Sequence, residues 1–157
     1  MIGNYKLQIT NYKAFTLIEL LVVISIIGIL VGLSIFGLQG ARESARDGTR
    51  KSDLELIRSG LELYKSDCNS YPIGSGNPST VFTGGVLRGT GANPSCAVAN
   101  IYIAAVPADP SPSRNYRYWS DGVIYEICAA TEGGTTTVTC GGSSSCGSTC
   151  NHKVTNP

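Results

Sequence analysis

From Leu20 to Ala41 the chain carries no charged residue. A helix over that stretch is roughly 33 Å long, enough to cross a hydrocarbon core of about 30 Å. Nothing else in the chain limits the fold as strongly, because so long an apolar segment must be covered by lipid or by protein. One acid, Glu19, stands just ahead of it, with Lys6 and Lys13 before that. A carboxylate at the bilayer centre costs at least about 3 kcal/mol, so an acid at this place points to a function that uses its charge. An ordinary secretory signal has an apolar core of about 7 to 15 residues and then a small-residue cleavage site. Here the core is longer. The small residues of "GLQGA" at 37–41 leave late cleavage as one alternative, and a plain single-pass anchor as another.

All six cysteines (Cys68, Cys96, Cys128, Cys140, Cys146 and Cys150) lie on the C-terminal side of the run, in a Gly/Ser-rich region. An even count in such a setting points to disulfides and an oxidising compartment. The basic residues argue the other way: Arg42, Arg46, Arg50 and Lys51 follow the span, and the positive-inside rule alone would keep that side in the cytoplasm. Glu43 and Asp47 only partly offset them. The cysteines are given the greater weight, which places the C-terminal part outside the cytoplasm. The near-neutral balance, with a formal net charge of +1, argues against a general nucleic-acid binder, which would show a strongly basic face.

Beyond the span the helical pattern continues from Ala41 to Cys68. Leu54, Ile57, Leu61, Tyr64 and Cys68 recur at helical spacing and form one apolar face. Asp47 with Lys51, Glu55 with Arg58, and Glu62 with Lys65 are spaced to pair on the other face. The sequence therefore predicts a single helix from Phe15 to about Asn69, on the order of 80 Å long. Its segment 15–40 needs a cover of lipid or protein, and the basic cluster at 42–51 is expected as a solvated helix face rather than a contact for DNA or anionic lipid headgroups. Residues 70–157 form a small head that opens loop-rich, with turn signals in "GSGNPST", "TGG" and "RGTGANPS". Strands are expected at 115–119 and 123–129 around Ser120-Asp121-Gly122, with a third at 135–140, so the antiparallel sheet falls at about 115–140. Tyr116, Tyr118, Trp119 and Tyr125 read as packing residues. The fold class is α+β: a long N-terminal α-helix packed against a small C-terminal antiparallel sheet.

The motif Lys13-Ala14-Phe15-Thr16-Leu17-Ile18-Glu19, with the apolar run directly behind it, resembles the processing motif of the type IV pilin and type II secretion pseudopilin family. "ARDGTRKSDLELIRSGLELYKSDCNSYP" at 45–72 is similar to the major pseudopilin, and "AAVPADP" at 104–110 resembles the turn leading into that family's sheet. The resemblance implies a prepilin peptidase that cuts between Ala14 and Phe15, removes residues 1–14 as a leader and methylates the new amine of Phe15. Ala14 stands where the family usually has glycine. The resemblance further implies that Glu19 neutralises the Phe15 ammonium of a neighbouring subunit, and that an inner-membrane assembly platform and its ATPase drive assembly with identical or related pilin subunits. Gly28 and Gly32, a GxxxG pair, permit close helix approach, and the family reading adds local unwinding in a filament. Many pilins carry a proline in this region. Here the first proline is Pro72, which leans towards a straighter, pseudopilin-like helix.

No motif of an enzyme is present: there is no GxSxG, HExxH or P-loop, and His152 is the one histidine. No cofactor is implied. Asp109 and Asp121 lie near the strands where the major pseudopilin family carries a calcium site, but without further ligands they read as turn residues. Cys140, Cys146, Cys150 and His152 lack CxxC spacing, which disfavours zinc. Six cysteines permit fifteen pairings, and the favoured one joins Cys68 to Cys96, Cys128 to Cys140 across a second hairpin, and Cys146 to Cys150. The leading reading is a structural subunit of a pilus or secretion pseudopilus, inserted in the inner membrane with its head outside the cytoplasm. The alternative is a minor pilin acting as a DNA-uptake or surface-adhesion receptor, for which the head's Arg88, Arg114, Arg117 and Lys153 are a thin supply of positive charge.

Overall fold

The computed structural model describes residues 14–157. Helix α1 runs over Leu17–Cys68, uninterrupted through Gly28 and Gly32. The chain divides after Gly40 into two units. In the first, every described side chain of the helix is exposed, and the apolar run has a mean hydropathy of 2.8 over an 18-residue window with 0% of it buried. That is a helix long and apolar enough to cross a membrane.

The second unit, Ala41–Pro157, wraps the remainder of α1. The helix ends at Cys68, and Asn69 takes a left-handed conformation (φ 62°) while its N–H bonds back to the Lys65 carbonyl at 2.8 Å, a common αL stop. Two sheets follow. The larger has the order β1-β4-β5-β6, all antiparallel, from β1 (Gly74–Gly76), β4 (Arg117–Ser120), β5 (Tyr125–Ala129) and β6 (His152–Thr155). The smaller pairs β2 (Leu87–Arg88) with β3 (Ile101–Ile103). A single-turn helix, α2 (Pro78–Val81), is capped by the Asn77 side chain.

The apolar stripe read from the sequence is the helix's contribution to the core. Leu54, Ile57 and Leu61 are fully buried, with Tyr64 and Cys68 nearly so, and they meet Phe82, Leu87, Ile103, Tyr118, Ile127 and Val154. Gly60 lies on the same side, where a Cβ would come within 2.3 Å of Ile103 Cγ1. A helix-interior glycine costs about 1 kcal/mol relative to alanine, and here it makes room for β3.

The sheet departs from expectation at both ends. The β4–β5 hairpin stands where 115–129 placed it, with Asp121 Oδ1 accepting the amides of Val123 and Ile124 at 2.9 Å each. Residues 135–140 form no strand. The edge of β5 is taken instead by β6, and the Thr135–Cys140 stretch is held apart as a loop by the Cys128–Cys140 bond and by Val138 N–H on the Cys150 carbonyl. The other edge is "GSG" of β1, read from the sequence as a turn; its backbone pairs with β4 although its side chains have no strand preference.

The helix stripe predicts a clear contrast in stability. Leu61→Ala should destabilise the head by about 2–5 kcal/mol, whereas Leu63→Ala, on the exposed face, should change it by less than about 0.5 kcal/mol. Urea unfolding in detergent, followed by tyrosine fluorescence, checks the pair.

Candidate assembly segment and the ion cluster that fixes the head

The start of α1 is built by its own side chains. Thr16 Oγ1 accepts the Glu19 amide at 3.3 Å, while Glu19 Oε2 accepts the Thr16 amide at 2.8 Å and the Thr16 hydroxyl at 2.9 Å. This is a reciprocal capping box of the T-x-x-E type. The sequence reading placed Glu19 in the first turn and missed Thr16 as its partner, although the spacing was there to be seen. Phe15 is 89% exposed and Ala14 precedes it in the open, so the bond between them is accessible. Ahead of that point, residues 1–13, with Lys6 and Lys13, to which most of the expected leader 1–14 belongs, lie outside the described residues. Around Gly28 and Gly32 a Cβ would meet nothing within 4 Å, and the nearby Ser25 and Ser34 hydroxyls bond back to the Val22 and Leu30 carbonyls at 2.8 Å.

The basic cluster after the span behaves differently from the solvated face expected of it. Arg50 is fully buried. Its guanidinium donates to both carboxylate oxygens of Asp109 (2.9 and 3.0 Å), to Asp47 (2.7 Å), to Glu132 (3.0 Å) and to the Ser111 hydroxyl (2.9 Å). Arg46 adds a bidentate pair to Glu132. Asp47 does not pair with Lys51: it turns to Arg50 and accepts the backbone amides of Glu132 and Gly133. The cluster thus joins three stretches that lie far apart in sequence. The Arg46 hydrogen bonds, with Arg50 behind them, hold the Glu132 carboxyl down at about 2 from an ordinary 4.5. Burial works against the charge of Asp47, but the Gly133 and Glu132 amides and Arg50 outweigh it and lower its pKa.

Further along α1 the acids serve the tyrosines of the head. Tyr116 donates to Asp53 (2.5 Å), Tyr71 and Tyr125 to Glu62 (3.0 and 2.9 Å), and Tyr102 to Asp67 (3.0 Å). The expected Glu62–Lys65 pair is replaced by these bonds, and the Lys65 ammonium sits 4.4 Å from the Tyr71 ring centroid. Glu55 and Arg58 do pair, at 3.6 Å. Burial and Glu62 together raise the Tyr71 hydroxyl to about 12.

The six cysteines form three bonds, Cys68–Cys96, Cys128–Cys140 and Cys146–Cys150, the pairs favoured in the sequence. Four of these sulfur residues, with Ala130 and Val138, make a second small core under the 131–151 segment. No group of three or more His, Cys, Asp or Glu side chains able to hold a metal occurs among the described residues. Asp109 and Asp121 do not fit a shared calcium site, since the first is spent on Arg50 and the second on the hairpin amides. Of the head's basic side chains, Arg114 bonds the Ala130 carbonyl, Arg117 the Cys140 carbonyl and Lys153 the Glu126 carboxylate.

A helix that opens on a capped acid, exposes a membrane-length apolar half and carries a small antiparallel head on its other half defines a pilin-like subunit. Residues 9–35 match the prokaryotic N-terminal methylation motif. The chain is 31% identical over 115 residues to type II secretion system core protein G of Vibrio cholerae, covering 73% of this chain and 75% of that protein. It is 34% identical over 98 residues to the proteins of the same name from Pectobacterium carotovorum and Escherichia coli, covering 62% of this chain in each case. The match spans 61% and 66% of the lengths of those two relatives. The chain belongs to the type II secretion system core protein G family, the major pseudopilins. No solved structure matches it.

Two outcomes test the ion cluster. Asp109→Ala, which leaves the Arg50 charge buried beside fewer partners, should cost about 3–5 kcal/mol in thermal or urea unfolding. The second is a pH dependence. Because the folded-state value of Glu132 lies below its ordinary one, its contribution is complete above about pH 4.5 and is lost as pH falls towards 2. Protection of the Glu132 and Gly133 amides, measured relative to their intrinsic exchange rates, should fall over that window, and Glu132→Gln should flatten the dependence.

Proposed function

We infer that this chain is a structural subunit of a type II secretion pseudopilus, assembled through its N-terminal helix. The observation that carries this reading is the exposed apolar half of α1 behind a single capped acid. The large apolar side chains described between Leu17 and Leu38 are roughly half or more exposed, a surface that soluble monomers rarely leave open. Lipid covers it in the precursor and neighbouring helices cover it in the filament. Residues 1–14 serve as the leader. A prepilin peptidase cuts between Ala14 and Phe15 at the exposed junction and the Phe15 amine is methylated. The precursor is anchored in the inner membrane with its disulfide-bonded head outside the cytoplasm, and an assembly platform with its ATPase supplies the work.

The chemistry of assembly follows from charge. Both bonds from Thr16 fall on Glu19 Oε2, so that Oε1 carries no hydrogen bond among the described residues and is available to the Phe15 ammonium of the next subunit. Each contact pairs two charges in an apolar surrounding, so a subunit out of register leaves an acid and an amine both unpaired. Gly28 and Gly32 let neighbouring helices approach closely in this arrangement. Engagement of Arg114, Arg117 and Lys153 within the head leaves little free positive charge for a nucleic-acid receptor.

Mass spectrometry of the mature protein should find N-methylated Phe15 as the first residue; a chain that keeps residues 1–14 in a host with the peptidase sinks the processing step. Glu19→Ala should reach the membrane and be cut yet form no filaments. Thr16→Val, which removes the cap but keeps the carboxylate, should cost about 1 kcal/mol of local helix stability and still assemble.

A further inference from the structure

The three disulfides form one distinctive pattern: each joins cysteines that are consecutive in the chain, at separations of 28, 12 and 4 residues. Of the fifteen pairings open to six cysteines, only one has this property. The chain around these cysteines is shaped by short-range turns and caps. Cys68 ends α1, and Cys96 closes a short 3-10 turn whose cap, Asn93, accepts the Cys96 amide at 2.8 Å; the two Cα atoms stand 4.8 Å apart. Cys140 and Ser143 exchange backbone hydrogen bonds of 2.8 and 3.1 Å across Gly141-Gly142, a tight reversal between Cys140 and the next cysteine. Cys146 and Cys150 are drawn to a Cα separation of 5.3 Å by a turn in which the Cys146 amide bonds the Ser148 carbonyl at 2.7 Å. Gly147 in that turn has φ 75°, and a Cβ there would meet the Ser113 carbonyl at 2.3 Å.

We propose that the head is the substrate of a disulfide-carrying thiol oxidase that works as the chain emerges from the membrane, and that it reaches its native pairing without a disulfide isomerase. The inference rests on the outward orientation of the head given above. Behind an N-terminal anchor the cysteines emerge in chain order, so Cys68 meets Cys96 before Cys128 exists outside, and Cys128 meets Cys140 before Cys146. In each round a cysteine thiolate attacks the oxidase disulfide, forming a mixed disulfide and releasing one oxidase thiolate. The partner cysteine thiolate then attacks the substrate sulfur, closing the native bond and releasing the second oxidase thiolate. Two electrons pass to the oxidase, the cysteines give up two protons, and three rounds consume all six thiols. Crossed bonds, the substrates of an isomerase, have no occasion to form.

The test expresses the full chain in a bacterial host and in strains lacking either the periplasmic thiol oxidase or the periplasmic disulfide isomerase. Free thiols are counted as maleimide adducts after denaturation, and the bonds are mapped by mass spectrometry. The expected result is no adducts in the parent, six without the oxidase, and an unchanged yield of the same three bonds without the isomerase. Accumulation of Cys140–Cys146 or any crossed bond in the isomerase-deficient strain, or a several-fold fall in correctly paired chain there, overturns the proposal and leaves the orientation standing. Six adducts in the parent strain overturn the orientation and the proposal together. Gly147→Ala separates local from global encoding: it should leave two adducts, at Cys146 and Cys150, with the other bonds intact, whereas scrambling of all six would show that pairing depends on the finished fold.

Discussion

The Arg50 guanidinium is the point at which the head is tied to its helix. It is buried, and a buried cation without partners is among the most expensive things a small domain can contain. Its hydrogen-bonding capacity is met by Asp47 one turn away on α1, by Asp109 and Ser111 after β3, and by Glu132 after β5. The cluster thereby fixes where two long connections return to the helix. A pairing of this kind adds little net stability compared with an apolar substitute of the same shape. What it adds is a defined geometry, because any displacement of the 109 or 132 segment strands charge in a dry place.

Two cores share the work that one would do in a larger domain. The first is aromatic and aliphatic, built from the α1 stripe, the sheet and the β2–β3 pair; its tyrosines bury their rings and lead their hydroxyls to Asp53, Glu62 and Asp67 at the helix edge. Those acids let aromatic residues pack fully against a helix without orphaning a polar atom. The second core consists mainly of cysteine. Segment 131–151 has almost no apolar side chains of its own, and a covalent frame replaces the burial it lacks. Asn151 closes the frame by bonding Thr131 and Gly134, so the loop is pinned at both ends, to the sheet by sulfur and to α1 by charge.

The helix was legible in the sequence because its signals are local and periodic: the uncharged run, the i, i+3, i+7 stripe from Leu54 to Cys68, and the end near Asn69. The β4–β5 hairpin was legible for the same reason, with Asp121-Gly122 between two alternating segments. What could not be read depends on partners distant in the chain. Glu62 looks like a partner for Lys65 until the fold brings two tyrosine hydroxyls to it, and Arg50 looks like a surface cation until residues 59 and 82 positions away meet it. The "TTTVTC" segment has strand-forming residues, yet its place beside β5 is occupied by β6, a competition that propensity does not register. The expected processing site is a separate case, since its residues are recognised by resemblance, while the capping box beside it was missed although its T-x-x-E spacing is local.

That capping box bears on how one acid serves two states. In the single subunit Glu19 accepts the amide of Thr16 and complements the positive end of the helix. On the proposed reading, cutting before Phe15 creates a cation a few residues away and places it at the same end of the helix, where it disfavours the macrodipole. Within one subunit the acid offsets that charge only partly, because the cap already holds Oε2. The remaining imbalance is relieved when a second subunit offers its own Glu19. A precursor that keeps residues 1–14 has no such amine, so the drive to associate through this segment arises only after the cut.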